Sequence, residues 1–412
     1  MTTDPRTSIT VEAAVQHCLA RLPDPGPAPQ DDPWIAHSLT RGAAGIAICH
    51  IVRAHHGETS WQAVHAWITQ ACAGPVSASP NTGLFQGLPA IAFVLHTTGR
   101  YRHGLADTLP AFTYLAHRRA ADVHDRIEAG ALGTFREYDV FFGLAGLGSL
   151  LLRLDPDGAA LEAVLTALVA LTRPLHIDGE WLPGWWTSHD PHRRVSPKFP
   201  GGHANFGFAH GVTAILGALA ISARSGRIVD HHHDAMATIL DHLASWRQDG
   251  PDGPWWPQWI SRADHAAGRP TQTGPGRPSW CYGTPGIARA GQLAGLALGD
   301  AVIQRAYEDA FAACLTDPAQ QNHITEPGLC HGAAGLYQTA WRAAHDATTP
   351  AISHHLPGLA NRLVRLAAHP HAQGPGFLDG DAGTLAALYT LLQAQSAGRP
   401  PDPGWDACLL LT

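Results

Sequence analysis

Lysine is nearly absent from this chain. Lys198 stands alone against 26 arginines, and only two methionines occur in 412 residues. That scarcity bears on the base composition of the source genome rather than on mechanism. More informative is the lack of any basic block or stripe. With a net charge of −7, the chain offers no electrostatic footprint for nucleic acid. The opening stretch, "MTTDPRTSIT", has no charged segment leading into an apolar run, so no secretion leader is read there. A clean membrane-length run is missing too. The longest apolar stretch, Phe206 to Ala223, carries His210 and two glycines within its first six residues and reads as a buried core helix. Cysteines number seven, an odd count in a large chain. That excludes a disulfide framework and fits a reducing, cytoplasmic setting. Thiols in such a protein are core filler, metal ligands or nucleophiles.

What is present is a globular composition, 45% apolar, and enough length for one large core. Residues 1–412 are read as a single domain. One element recurs through them: an apolar or aromatic lead-in, then Gly-x-x-Gly or Gly-x-x-Ala, then a helical run. Copies start at Gly42, Gly87, Gly143, Gly211, Gly283, Gly332 and Gly380, spaced by 45, 56, 68, 72, 49 and 48 residues. A period near 45–50 suits a pair of helices with their turns. Segments directly after each glycine pair are apolar nearly all round, as in helices buried on every side. Between them lie one-faced patterns such as "HDAMATILDHLASW" from His233. Two concentric helix layers follow. The predicted fold is all-α: an α/α barrel of seven hairpins, each inner helix starting at a glycine turn. The glycines are expected to bring neighbouring inner helices close and to free the backbone for a sharp turn. An open superhelical stack is the alternative. Its terminal copies would be atypical, and the first and last here are not.

The two long spacings mark inserts, about 177–204 and 248–278, rich in Trp, Pro and Gly and without helical period. They are expected to be loops with short strands. Their tryptophans suit either a binding surface or a cap on the barrel end. The "HHH" at 231–233 reads as a surface feature.

Four turns carry reactive side chains beside the first glycine: Asp139, His210, Cys281, and Cys330 with His331. In a closed barrel these turns share one end of the cavity. Two cysteines and a histidine form a zinc set with one open coordination position. Adjacent ligands cannot share one helix face, being about 100° apart, but can meet on a loop entering a helix. The helix N-termini behind them favour thiolates. His210 is open to three readings: fourth ligand, acid/base group or core histidine. Asp139 either orients His210 or caps a helix. Arg277, four residues before Cys281, suits a developing oxyanion or a solvated surface.

Four motifs in this order carry a resemblance: Tyr138-Asp139 with Gly143; Asn205, Gly207 and His210-Gly211; "WCYG" at Trp280–Gly283; and "CHG" at Cys330–Gly332. Together they resemble the lanthionine synthetase C-like family, over Gly42 to Gly383. The resemblance implies a barrel of seven inner and seven outer helices and one Zn²⁺ per chain, held by Cys281, Cys330 and His331. It implies cyclisation of a ribosomal precursor peptide, leader plus dehydrated core, by addition of a cysteine thiol to dehydroalanine or dehydrobutyrine. It assigns acid/base work to His210 with Asp139 in support, and matches Arg277 and Tyr282 to further active-site positions. A stand-alone cyclase working with a separate dehydratase fits, with no membrane span and association with a membrane-bound complex left open. In the family such an insertion helps to handle the peptide. Departures are small: Ala90 and Ala214 replace the second glycine in two copies. Competing readings are a zinc-thiolate prenyltransferase-like enzyme, a glutathione-adding member of the same family, and an idle scaffold that binds peptide and dehydratase. The intact reactive set argues against the last.

Overall fold

The computed structural model describes residues 9–26, 32–397 and 404–412. Residues 1–8, on which the reading of no leader rests, lie outside them. The helices are α1 Val11–Leu19, α2 Ala43–His55, α3 Trp61–Ala71, α4 Leu88–Thr98, α5 Arg102–Glu128, α6 Leu144–Leu154, α7 Ala159–Ala170, α8 Val212–Arg224, α9 His232–Trp246, α10 Arg262–Ala267, α11 Thr284–Leu298, α12 Ala301–Thr316, α13 Pro318–Gln321, α14 Ala333–Asp346, α15 Leu356–Ala367 and α16 Asp381–Ala397. Among the described residues no helix is long and apolar enough to cross a membrane.

Seven of these begin at the glycine turns: α2, α4, α6, α8, α11, α14 and α16. They are buried on nearly all sides; in α8 every residue from Val212 to Ser222 is buried. Outer helices bury one stripe, as α15 does with Leu359, Leu363, Val364 and Ala367. Some carry ordinary side-chain caps, Ser60 on α3 and Asp300 on α12, whereas α5, α7, α9 and α15 have none. The inner helices α2, α4, α6, α8, α11 and α14 have no side-chain cap. In α2, α6, α14 and α16 first-turn N–H groups are taken by carbonyls of the turn seven residues earlier; in α14, Ala333, Ala334 and Gly335 donate to Glu326, Pro327 and Gly328. The second glycine makes this possible. A Cβ on Gly335 would fall on the carbonyl of Leu329, and one on Gly286 on that of Trp280. The recurring glycine therefore serves the helix's own turn more than its neighbour helix. Ala90 and Ala214, both fully buried, stand at the same place in turns two and four.

Each inner helix packs on the next, α2 on α4, then α6, α8, α11, α14 and α16, and α16 returns to α2. The turns close in the same sense through backbone hydrogen bonds. Leu39 N–H donates to Phe85 O (3.0 Å), Phe85 to Phe141 (3.2 Å), Val140 to Ala209 (3.0 Å), Ala209 to Cys281 (3.2 Å), Cys281 to Cys330 (3.2 Å), Cys330 to Leu378 (2.9 Å), and Leu378 back to Thr40 (3.1 Å). This ring decides the barrel against the open stack. Six outer helices follow their inner partners in sequence. The partner of α16 is α1, from the other end of the chain.

The barrel axis is filled. Trp405 through Leu411 are all essentially solvent-free. Arg342 grips Asp406 with two hydrogen bonds (2.6 and 2.7 Å), and Trp280 Nε1 donates to Leu409 O (2.9 Å).

The inserts hold six short strands: β1 Leu175–Ile177, β2 Glu180–Leu182, β3 His203–Asn205, β4 Gln248–Gly250, β5 Gly253–Trp255 and β6 Trp259–Ser261. The two inserts are joined to each other, since β3 pairs antiparallel with β6. Trp185, Trp186, Trp255 and Trp256 are buried, and Trp181 alone of these insert tryptophans stands well exposed. Trp186 and Trp256 donate to the carbonyls of Gly201 and Leu243. Most insert tryptophans therefore wedge the inserts onto the barrel. His232, expected on the surface, turns inward and meets Leu219 O at 2.9 Å, because α9 begins there and its first residue faces α8.

Candidate metal centre

Turns four to seven and turn three meet at one rim of the ring. Cys281 on turn five is buried, and Cys330 and His331 on turn six are partly buried. Their ligand atoms all lie within 4.8 Å of one another. Zinc–sulfur bonds of about 2.3 Å and zinc–nitrogen bonds of about 2.0 Å place tetrahedral neighbours roughly 3.5–3.8 Å apart, so this triangle fits a zinc ion with little adjustment. The donor set, two thiols and an imidazole, is the kind zinc prefers when one position stays open. Ser279 Oγ lies 3.4 Å from Cys281 Sγ. The Cys281 thiol is held well below the usual thiol range, first by hydrogen bonding with Cys330, then with His331 and Ser279. Cys330 is pushed up in return by Cys281, and His331 is raised chiefly by the same sulfur. The N–H groups opening α14 donate to carbonyls of their own turn.

Asp139 meets His210, as the sequence allowed, and otherwise closes its own turn rather than capping α6, which has no side-chain cap. Its Oδ1 accepts from the N–H groups of Phe142 (2.7 Å) and Gly143 (2.8 Å), closing turn three. Its Oδ2 lies 2.7 Å from His210 Nδ1, and the carboxylate is fully buried. An acceptor on Nδ1 fixes that nitrogen as the donor and leaves Nε2 for a substrate. Phe135 and Phe141 flank the His210 ring with centroids 4.8 Å away on each side. The Tyr282 ring is 6.5 Å from it, and turn four is tied to turn five by Ala209 N–H on Cys281 O. His210 is therefore next to the metal triangle but outside it.

Tyr282 accepts a hydrogen bond from Asn205 Nδ2 (2.9 Å), and burial raises its hydroxyl pKa. Gly207 is required beneath it, since a Cβ there would meet the Tyr282 ring. Trp259 on β6 stands edge-on to the same ring at 6.2 Å, which brings the second insert to the site. Arg277 is exposed at the rim, near enough to act electrostatically on Cys330 and His331.

The sequence reading missed Glu326 and Asp379, which flank His331 at 3.1 and 3.8 Å. A signal existed for one of them. The residue before the first glycine is Asp379 in turn seven, as it is His210 in turn four and His331 in turn six. Placing the seven turns in register would have counted it.

Solved structures include a close match in shape, "Nisin cyclase", with TM-score 0.76 and 19% identity, covering 99% of this chain and 98% of that one. At that identity the likeness establishes the fold, the helical barrel. No match was found among curated protein sequences. The family model described as "Lanthionine synthetase C-like protein" matches residues 33–410, nearly the whole of the ring just described. The chain belongs to the lanthionine synthetase C-like family.

Proposed function

We propose that this protein closes thioether rings in a dehydrated ribosomal peptide, acting with zinc and alongside a separate dehydratase. The observation that carries the reading is the Cys281–Cys330–His331 triangle standing beside the Asp139–His210 pair on one rim. A zinc ion held by those three residues would supply a Lewis-acidic centre that lets a peptide thiol lose its proton near neutral pH.

The chain's own residues account for the rest. The thiolate sulfur adds to the β-carbon of a dehydro residue. A C–S bond forms, the C=C π pair moves toward the carbonyl, and an enolate results. His210, its Nδ1–H held by Asp139, takes up at Nε2 the proton the thiol releases and returns it to the α-carbon, completing lanthionine or methyllanthionine. Phe135 and Phe141 pack against the imidazole and restrict its orientation. Tyr282, anchored by Asn205, lines the approach, and Arg277 at the rim is placed to offset enolate charge.

Metal content by elemental analysis tests the reading first, on the intact protein and on Cys281→Ala. We expect about one zinc per chain in the former and its loss in the latter. His210→Ala should retain zinc yet slow ring closure by about 100-fold or more. The assay is a peptide carrying one dehydroalanine and one cysteine. Cyclisation leaves its mass unchanged and removes its reactivity toward a thiol reagent. Added glutathione appearing in the product mass would favour the glutathione-adding reading. Zinc-free, inactive parent protein would sink the proposal.

A further inference from the structure

Two carboxylates that the reaction scheme leaves idle lie at opposite nitrogens of His331. Glu326 Oε2 is 3.1 Å from Nε2, and Asp379 Oδ1 is 3.8 Å from Nδ1. Both are set there by backbone. The carbonyl of Glu326 accepts the N–H of Ala333 (2.8 Å), closing the loop that carries Cys330 and His331. The carbonyl of Leu378 accepts from both Leu329 (2.8 Å) and Cys330 (2.9 Å), laying turn seven against turn six. Gly328 permits that contact, since a Cβ there would strike the backbone of Asp379. A cavity of about 260 Å³ lies between these groups, with Thr40 and Arg41 on its far side.

An imidazole offers one lone pair. The nitrogen that does not ligate keeps its proton and needs an acceptor, most often a carboxylate or carbonyl. Glu326 stands at the distance of such an acceptor, and it stands at Nε2. The Asp379 oxygen on the Nδ1 side is different. It is buried, too far from the ring to bond it, and has no hydrogen-bond partner among the described residues. A buried carboxylate oxygen without a donor is costly unless a cation faces it. Both observations put the ion on the Nδ1 side.

We propose that Glu326 is the positioning residue of the metal centre. It accepts Nε2–H of His331, so that Nδ1 is the nitrogen given to the metal, and Asp379 adds negative charge beside the ion without ligating it. Arg41 and Arg277, which act electrostatically on Asp379 and on His331, offset the added charge. This inference rests on the metal reading above.

Zinc affinity of the full chain, measured by chelator competition, tests it. Glu326→Gln should weaken zinc roughly 10–100-fold, as loss of an outer-shell partner does. The zinc-free protein's melting midpoint should stay unchanged, and Glu326→Asp should recover part of the loss. A merely structural residue would lower the melting midpoint of the zinc-free form instead. Affinity within about twofold of the parent overturns the assignment. Should Glu326→Gln not fold, the parent answers alone. Labelled with nitrogen-enriched histidine and loaded with NMR-active cadmium, it should show metal coupling at Nδ1 of His331, and coupling at Nε2 overturns the proposal. A parent that binds no metal defeats the functional reading itself, whereas a normal parent with an indifferent Glu326→Gln defeats only this inference.

Discussion

Single buried histidines carry a cost that pH exposes, one in the first insert and one on α9. His203 on β3 is solvent-free, shares its Nδ1 between Thr187 and the carbonyl of His189, and leaves Nε2 unpartnered. Burial pushes its pKa down to about 4, and His242, stacked on Phe206, is pushed down to about 3. Unfolded, each titrates near 6.5. The unfolded chain therefore binds the extra proton, and stability is intact above pH about 6.5. It falls as pH drops toward about 4 for His203 and about 3 for His242. A pKa unit is worth about 1.4 kcal/mol, so acidifying to about pH 5 should remove about 2 kcal/mol per histidine. Urea unfolding midpoints near pH 7.5 and pH 5 read this directly. His242→Leu should flatten the slope, and an unchanged slope would show that His242 is not the group responsible.

At the scale of the element, the glycine turn is a unit. In α2, α6, α14 and α16 it caps its own helix with its own carbonyls; it offers an N–H to a neighbouring turn, and in turns three to seven it presents reactive side chains at the rim. The glycine that lets helix and turn touch is therefore not interchangeable with alanine where a carbonyl lies beneath it. Gly335→Ala should destabilise by about 1–3 kcal/mol, the range for overpacking a close contact, and should weaken zinc binding because Cys330 and His331 sit on the strained turn. Gly358→Ala supplies the contrast. That glycine is in the exposed part of α15 with open space around it. Alanine there should stabilise by about 0.4–1 kcal/mol through the unfolded chain. Thermal unfolding of both variants, side by side, checks the pair; equal effects would contradict the account of the turn.

Across the whole molecule, closure depends on both chain ends. The first described helix supplies the outer partner of the last inner one, and residues 405–411 fill the axis. The rim that carries the cysteine pair is linked to that axle through Trp280, neighbour of Cys281, whose indole N–H is held by Leu409. Asp406 is fully buried with Arg342 as its counter-ion. Asp406→Ala leaves that guanidinium buried without its partner, which costs about 3–5 kcal/mol. The expected result is a lower urea midpoint. A variant as stable as the parent would mean the axle is not anchored there.

Cys281, Cys330, His331, His210 and Asp139 were legible in the sequence because each belongs to a turn whose local pattern repeats, and repetition alone implies that the turns stand side by side. The two helix layers were legible for a similar reason: burial on one face or on all faces leaves its mark in residue spacing. Other features had no such mark. Glu326 reaches His331 only because its loop folds back on α14, and α1 meets α16 only because the ring closes. Nothing periodic distinguishes "WDACLL" as an axle rather than a tail, and the insert tryptophans looked equally suited to surface or wedge until β3 met β6. The sequence by itself indicated the two helix layers, the seven glycine turns and the reactive side chains on them, since those follow from local pattern, whereas α10, inside an insert read as loops and short strands, left no such pattern. Tertiary structure decided closure, the filled axis and the carboxylates around His331, because contacts between distant segments depend on where the backbone returns.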